Sequence, residues 1–261
     1  MALDRRRNPN RKPGDKPSDS DSRGDQLDTS PHGTEIPSAE ERVPTIEDIS
    51  DSRERLYRQH LFSADHFATR AQELEDRGAD ALSDEEICTH GAFVMGAVFS
   101  AAAFLETSIT DLYLELQKLS KSGQRNLRRE LAMLPRVWPE IVGAPLLHKY
   151  QLALSVADAD QYNESHSPYF EAESLIRMRD ALLDYTPEWD DKRGRHHSLE
   201  KRLSAKIPPN PFASVNSPWF PDRCLSAGCA KWALRAAQFF SDDFCHRMAI
   251  PARAQVSCDR P

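Results

Sequence analysis

Apolar residues recur at helical spacing along this chain from about Ser52 onward, and the pattern predicts a succession of helices. Leu56, Leu61, Phe67, Ala71 and Leu74 mark a stripe over Ser52–Arg77, with Gly78 as a natural stop. Ser83 and Glu86 stand at capping-box spacing and open a second helix that runs to about Leu119. Its middle, Phe93 to Leu105, is apolar on every side, as an element surrounded by others requires. Beyond it the stripe narrows to Ile109, Leu112, Tyr113 and Leu116.

Shorter elements follow. A helix is expected over Gln124–Leu134, then a connection punctuated by Pro135, Pro139 and Pro145, then a helix over Leu146–Val156. Ser167 reads as an N-cap with Pro168 at the first helical position. The helix it opens carries Phe170, Leu175, Met178, Leu182 and Tyr185, and Pro187 closes it. A brief helix over Leu199–Ala205 precedes a proline-rich loop that Phe212, Trp219 and Phe220 can anchor. The last helix is expected over Asp222–Met248, with Leu225, Trp232, Leu234, Ala237, Phe240 and Phe244 facing the core. No alternating run is long enough for a strand, and no repeat emerges. The fold class is therefore all-α, an irregular antiparallel helical bundle.

Composition trims this picture at both ends. Residues 1–50 are rich in Arg, Asp, Ser, Pro and Gly and poor in aromatic and branched apolar residues, so they read as a disordered tail. Residues 51–250 form the helical domain, and 251–261 a flexible C-terminal tail. The net charge of −7 argues against a surface built throughout for duplex nucleic acid. Two basic clusters, Arg125, Arg128, Arg129 and Arg136, and Lys192 through Arg202, read as solvated faces or loops. The cysteines are Cys88, Cys224, Cys229, Cys245 and Cys258; their odd number, irregular spacing and the lack of a secretory signal point to reduced thiols and a cytoplasmic setting. Ile87–Leu105 is free of Asp, Glu, Lys and Arg, but it includes His90 and continues in phase into Glu106 and Asp111. It reads as the central helix of a bundle rather than a membrane span.

The candidate chemistry lies in Leu175–Tyr185, where Arg179 is followed by Asp180 and, after a further turn, Asp184 and Tyr185. With the upstream run Ala101 to Leu112, which has the form A-x-x-F-L-E-x-x-I-x-D-L, this stretch resembles the HEPN family. That family's R-x4-H element places an arginine, an asparagine and a later histidine ahead of a tyrosine. The resemblance spans most of residues 55–250, and its weight comes from the order and spacing of loose motifs.

It implies a helical domain related to metal-independent endoribonucleases of toxin and defence systems. Their arginine and histidine share a composite cleft at a dimer interface. It also implies no cofactor and no metal, and as partners RNA, a second copy of the chain or an antitoxin-like protein, with no membrane. Arg179 matches the arginine; Asp180 replaces the asparagine and Asp184 the histidine. A carboxylate with a reference pKa of about 3.9 is ionised near neutrality and is a poor proton shuttle beside an imidazole of about 6.5. Two aspartates one turn apart would also repel an RNA phosphate and engage Arg179 or Arg177 in ion pairs. The expectation is a degenerate, non-catalytic module that binds RNA or protein in a bacterial or archaeal defence or toxin–antitoxin setting. The alternatives are an endoribonuclease still using Arg179, or a structural interaction protein. Arg177, Glu106 and Tyr185 complete the expected site, Glu106 as a buried carboxylate that meets an arginine or a helix N-terminus or helps to place Arg179.

Other constellations carry less. Asp180 and Asp184 with Asp158 and Asp160 suit a hard cation, and His196 and His197 with His166 a transition metal, but both recur on solvated surfaces. Cys224 and Cys229 with Cys245 and His246 lack zinc-site spacing; Cys229 and Cys245 read as small buried apolar groups. No glycine-rich phosphate loop, nucleophile elbow or H-E-x-x-H pair occurs.

Overall fold

A computed structural model describes residues 56–122, 128–185 and 196–253, all within the compact unit Val43–Pro261. The expected N-terminal tail, Arg125, the Lys192–Arg195 cluster and Cys258 lie outside the described residues. The described residues form seven α-helices and no strand: α1 (Leu56–Arg77), α2 (Asp84–Lys121), α3 (Leu134–Ile141), α4 (Leu146–Val156), α5 (Tyr169–Leu183), α6 (His197–Leu203) and α7 (Ala227–Met248). The class is an all-α bundle.

α1 and α2 form an antiparallel hairpin. Gly78 ends α1 at φ +80, a conformation that L side chains rarely adopt. Ser83 then caps α2: its hydroxyl accepts the Glu86 N–H, and the Glu86 carboxylate accepts the Ser83 N–H at 2.9 Å. The seam of α1 is Tyr57, Leu61, Ala64, Ala68 and Ala71; Leu61 and Ala71 are expected positions, whereas Phe67 and Leu74 are only partly buried and Leu56 is exposed. The larger residues misled the reading. Three alanines allow close approach at the regular a/d spacing, while Phe67 packs from the side over Gly96, where an added Cβ would lie 2.9 Å from its ring.

α7 closes this core, parallel to α2 and antiparallel to α1. At one end Glu75 of α1 accepts both the Ala227 N–H (2.7 Å), in the first turn of α7, and a hydrogen bond from His90 Nε2 of α2 (3.0 Å). His90 is buried, its ring perpendicular to that of Phe212 with centres 4.8 Å apart. At the other end Arg253, in the segment expected to be loose, is buried against Ser108, Glu115 and Tyr57. Phe104, Leu105, Ile109, Leu175, Met178 and Phe240 are fully buried between the helices. Each such side chain contributes about 1.5–3 kcal/mol of apolar burial. By length and composition α2 could cross a membrane, with a mean hydropathy of 1.7 over its most apolar window; half of that window is buried inside this bundle.

Several boundaries differ from the expectation. The third helix is Leu134–Ile141, inside the proline-punctuated stretch, and Leu131–Met133 is a 3-10 turn. Pro135 falls in the first turn, where the missing N–H costs nothing, and Pro139 lies inside the helix, where it donates no bond back to the Pro135 carbonyl. Ser167 does not cap α5: Pro168 precedes its first residue, and the Ser167 hydroxyl faces Glu171. α6 begins two residues earlier than expected and also ends two earlier. α7 starts at Ala227 rather than Asp222, because a π-turn over Trp219–Arg223 brings Phe220 into the core and Ser226 supplies the cap.

Candidate functional site

α5 ends at Leu183, with Asp184 at its C-cap, so Tyr185 lies beyond the helix rather than on its apolar stripe. Arg177 and Arg179, both on its last turns, have different fates. Successive residues are separated by about 100° around the axis, so the two arginines lie about 200° apart. Arg177 donates through Nη2 (2.8 Å) and Nε (3.2 Å) to Glu173 one turn back. Arg179 donates through Nε (2.8 Å) and Nη2 (2.7 Å) to a single oxygen of its neighbour Asp180. The Arg179 side chain is 26% exposed and that of Asp180 54%, so the pair lies at the surface.

Glu173 is the hub that ties this region together. Its second oxygen accepts Arg202 of α6 at 2.6 Å, and the Arg202 guanidinium lies 3.8 Å from the centre of the Phe170 ring and donates to Ser174 Oγ at 3.0 Å. Partial burial alone would raise the Glu173 carboxyl, but the hydrogen bonds from Arg177 and Arg202 outweigh it and hold its pKa below the ordinary value.

A groove of about 590 Å³ runs between α4 and α5. Its polar lining is His148, Gln151 and Ser155 from α4, Gln161 and Glu164 from the connection, and Tyr169, Glu173 and Arg177 from α5. Leu147, Leu152 and Ile176 form its apolar floor. Arg177 therefore borders a concave surface, whereas Arg179, the residue matched to the family arginine, is not part of that lining.

Glu106 is not a buried carboxylate waiting for an arginine. Its side chain is 42% exposed, and its partner is Lys149 of α4 at 2.8 Å, a lysine whose own side chain is only 7% exposed and lies over Trp138. The buried charge is thus the cation, and Glu106 is the surface-facing counter-ion that permits it. Glu106 acts at the α2–α4 contact and makes no contact with Arg179.

Tyr185 belongs to an aromatic group that spacing along the chain did not reveal. Its ring centre lies 6.3 Å from that of His196 and 6.1 Å from that of Phe220, and those two are 4.4 Å apart. His196 comes from the charged stretch read as solvated, and Phe220 from the proline-rich loop. The one signal available was that such a loop needs an apolar partner. Beside this group Leu183 is 65% exposed and Tyr185 46%.

Among the described residues no three His, Cys, Asp or Glu side chains come together as a metal site, so the aspartate, histidine and cysteine constellations are not assembled there. Cys224, Cys229 and Cys245 are buried free thiols, and burial pushes all three up, Cys229 to about 12. Such thiols are inert as nucleophiles. Compared with family models, curated proteins and solved structures, the chain matches none.

Proposed function

We propose that this chain is a non-catalytic binding module on a HEPN-like frame, in which the arginine motif has become a surface ion pair. The observation that carries this reading is the double hydrogen bond from Arg179 to one oxygen of Asp180. A guanidinium so engaged has its charge offset before any phosphate arrives, and an exposed carboxylate beside it opposes a second anion. The histidine position is held by Asp184, a carboxylate exposed at the end of the helix where the family has an imidazole. Elsewhere on α5 and beyond its end lie binding features: the α4–α5 groove with Arg177 at its rim, and the exposed Leu183 and Tyr185. An apolar cluster rimmed by charge suits a protein partner, such as an antitoxin-like protein or a second copy, better than an RNA backbone. The defence or toxin–antitoxin setting enters this reading from the family resemblance.

One observation favours the enzyme as a second reading. His196 stacks against Tyr185, so an imidazole stands near the end of α5 although none is encoded at position 184.

Incubation with total RNA in the presence of a metal chelator separates the two. The binding module leaves the RNA intact. Cleavage that disappears in Arg179→Ala or His196→Ala would establish the nuclease and overturn the first reading. Size measurement of the purified chain, alone and with Leu183→Asp, then tests self-association through this surface.

A further inference from the structure

The segment that follows α7 carries a feature that neither the fold nor the motif requires. After α7 the chain turns at Ala249, which adopts the left-handed conformation at φ 52, and Ile250 N–H bonds back to Cys245 C=O at 3.0 Å. Three residues later Arg253 is buried, with only 9% of its surface exposed. Its Nη1 donates to the Ser108 carbonyl at 3.1 Å and its Nη2 to Glu115 Oε2 at 2.5 Å. Its guanidinium carbon lies 5.3 Å from the centre of the Tyr57 ring. The groups that meet the guanidinium come from α1 and α2. The slot combines a carboxylate about two turns from a carbonyl oxygen on the same helix, and an aromatic wall, which is the set of groups that selects a planar, forked cation over an ammonium. Ser108 Oγ, buried on the same turn, makes no hydrogen bond among the described residues, so the slot holds polar capacity beyond what Arg253 uses.

We propose that this slot is a guanidinium-binding site that the chain fills with its own Arg253, and that it accepts an arginine side chain from another polypeptide when Arg253 is absent. The occupant is delivered by a short segment outside the helices, held at its base by the C-cap turn of α7. Its departure leaves the α1–α2–α7 core in place and uncovers Glu115, Ser108 and Tyr57 as a receptor for an arginine side chain.

The test uses the full-length chain carrying Arg253→Ala and a blocked tetrapeptide of sequence Ile-Pro-Ala-Arg, with Ile-Pro-Ala-Lys as control. The variant should unfold several degrees below the parent. Millimolar arginine peptide should raise its midpoint, the lysine peptide should do so much less, and neither should move the parent, whose slot is full. Adding Glu115→Gln should raise the peptide concentration needed by tenfold or more. Equal response to the two peptides, or a rescue that survives Glu115→Gln unchanged, overturns the assignment. If Arg253→Ala does not fold, Arg253→Lys is used in the same comparison: it keeps the cation but loses the fork, and its failure to respond selectively to the arginine peptide likewise overturns the proposal.

Discussion

Two places in this molecule hold a carboxylate against nitrogen donors, and they differ in everything around the contact. At the α1–α2–α7 junction, Glu75 accepts from a buried histidine of one helix and from the first turn of another, and its own side chain is 15% exposed. At the end of α5, Asp180 accepts from the residue beside it, and its side chain is 54% exposed. The first contact joins three elements far apart in sequence and satisfies donors that water cannot reach. The second joins neighbours that would be near each other in any conformation. Hydrogen bonds of similar length therefore mean different things: Glu75 helps to define the fold, while Asp180 alters the chemistry of one arginine at almost no structural cost.

That contrast can be broken by measurement. The largest effect is expected in the apolar interior that both depend on. Phe240 is fully buried, with Tyr150 and Tyr162 each 4.9 Å from its ring centre. Phe240→Ala should cost about 3–5 kcal/mol in denaturant unfolding, and a loss under about 1 kcal/mol would show that the site is not packed as described. Next comes Glu75→Ala, which strands the His90 ring nitrogen and the Ala227 N–H in the interior; about 1–3 kcal/mol is expected. Combined with His90→Ala the two losses should be clearly less than additive, since each removes the same contact.

Asp180→Ala is expected to change stability by less than about 1 kcal/mol, as exposed ion pairs do. Its informative readout is RNA affinity, which should rise when Arg179 is released and should then fall steeply with salt. A stability loss matching that of Glu75→Ala would erase the distinction between the two contacts.

The smallest effect concerns pH. The Glu173 carboxyl is lowered in the folded chain, so its contribution to stability is present above the unfolded value of about 4.3 and is lost as pH falls through the folded value. The difference in melting midpoint between the parent and Glu173→Gln should therefore be seen at pH 7 and shrink toward pH 3. A difference that grows on acidification would show that the Arg177 and Arg202 contacts do not hold the ionised form.

Legibility in the sequence followed the range of the forces involved. The Ser83 and Glu86 cap, the reach of α2 and its narrowing stripe, the extent of α4, and the core positions Trp232, Phe240 and Phe244 were all readable, because each depends on residues within a turn or two. The α1 seam was only partly read because Ala64 and Ala68 carry little hydrophobic signal, yet their small size is what lets two helices approach. The third helix was misplaced because prolines usually mark interruptions, and two of them here sit in an eight-residue helix that tolerates them.

The site was legible only as a list of residue types. That Arg179 would meet one of the two aspartates followed from their spacing. That Arg177 borders the α4–α5 groove depended on how α5 is rotated against α4, and that Glu106 meets a buried lysine depended on which helix lies across α2. The assembly of Tyr185, His196 and Phe220 joins residues from three separate segments, and no local pattern could announce it.

What the sequence determined by itself is the helical class, most of the helices and the two carboxylates that follow Arg179 at the end of α5. Periodicity, capping and side-chain charge are local properties, set before any helix meets another. The tertiary structure alone decided which carboxylates are buried, which arginine faces a groove and that Arg253 returns to seal α1 against α2. Burial and long-range hydrogen bonding depend on the relative placement of whole helices, and that placement is fixed by the sum of many weak packing contacts rather than by any one residue.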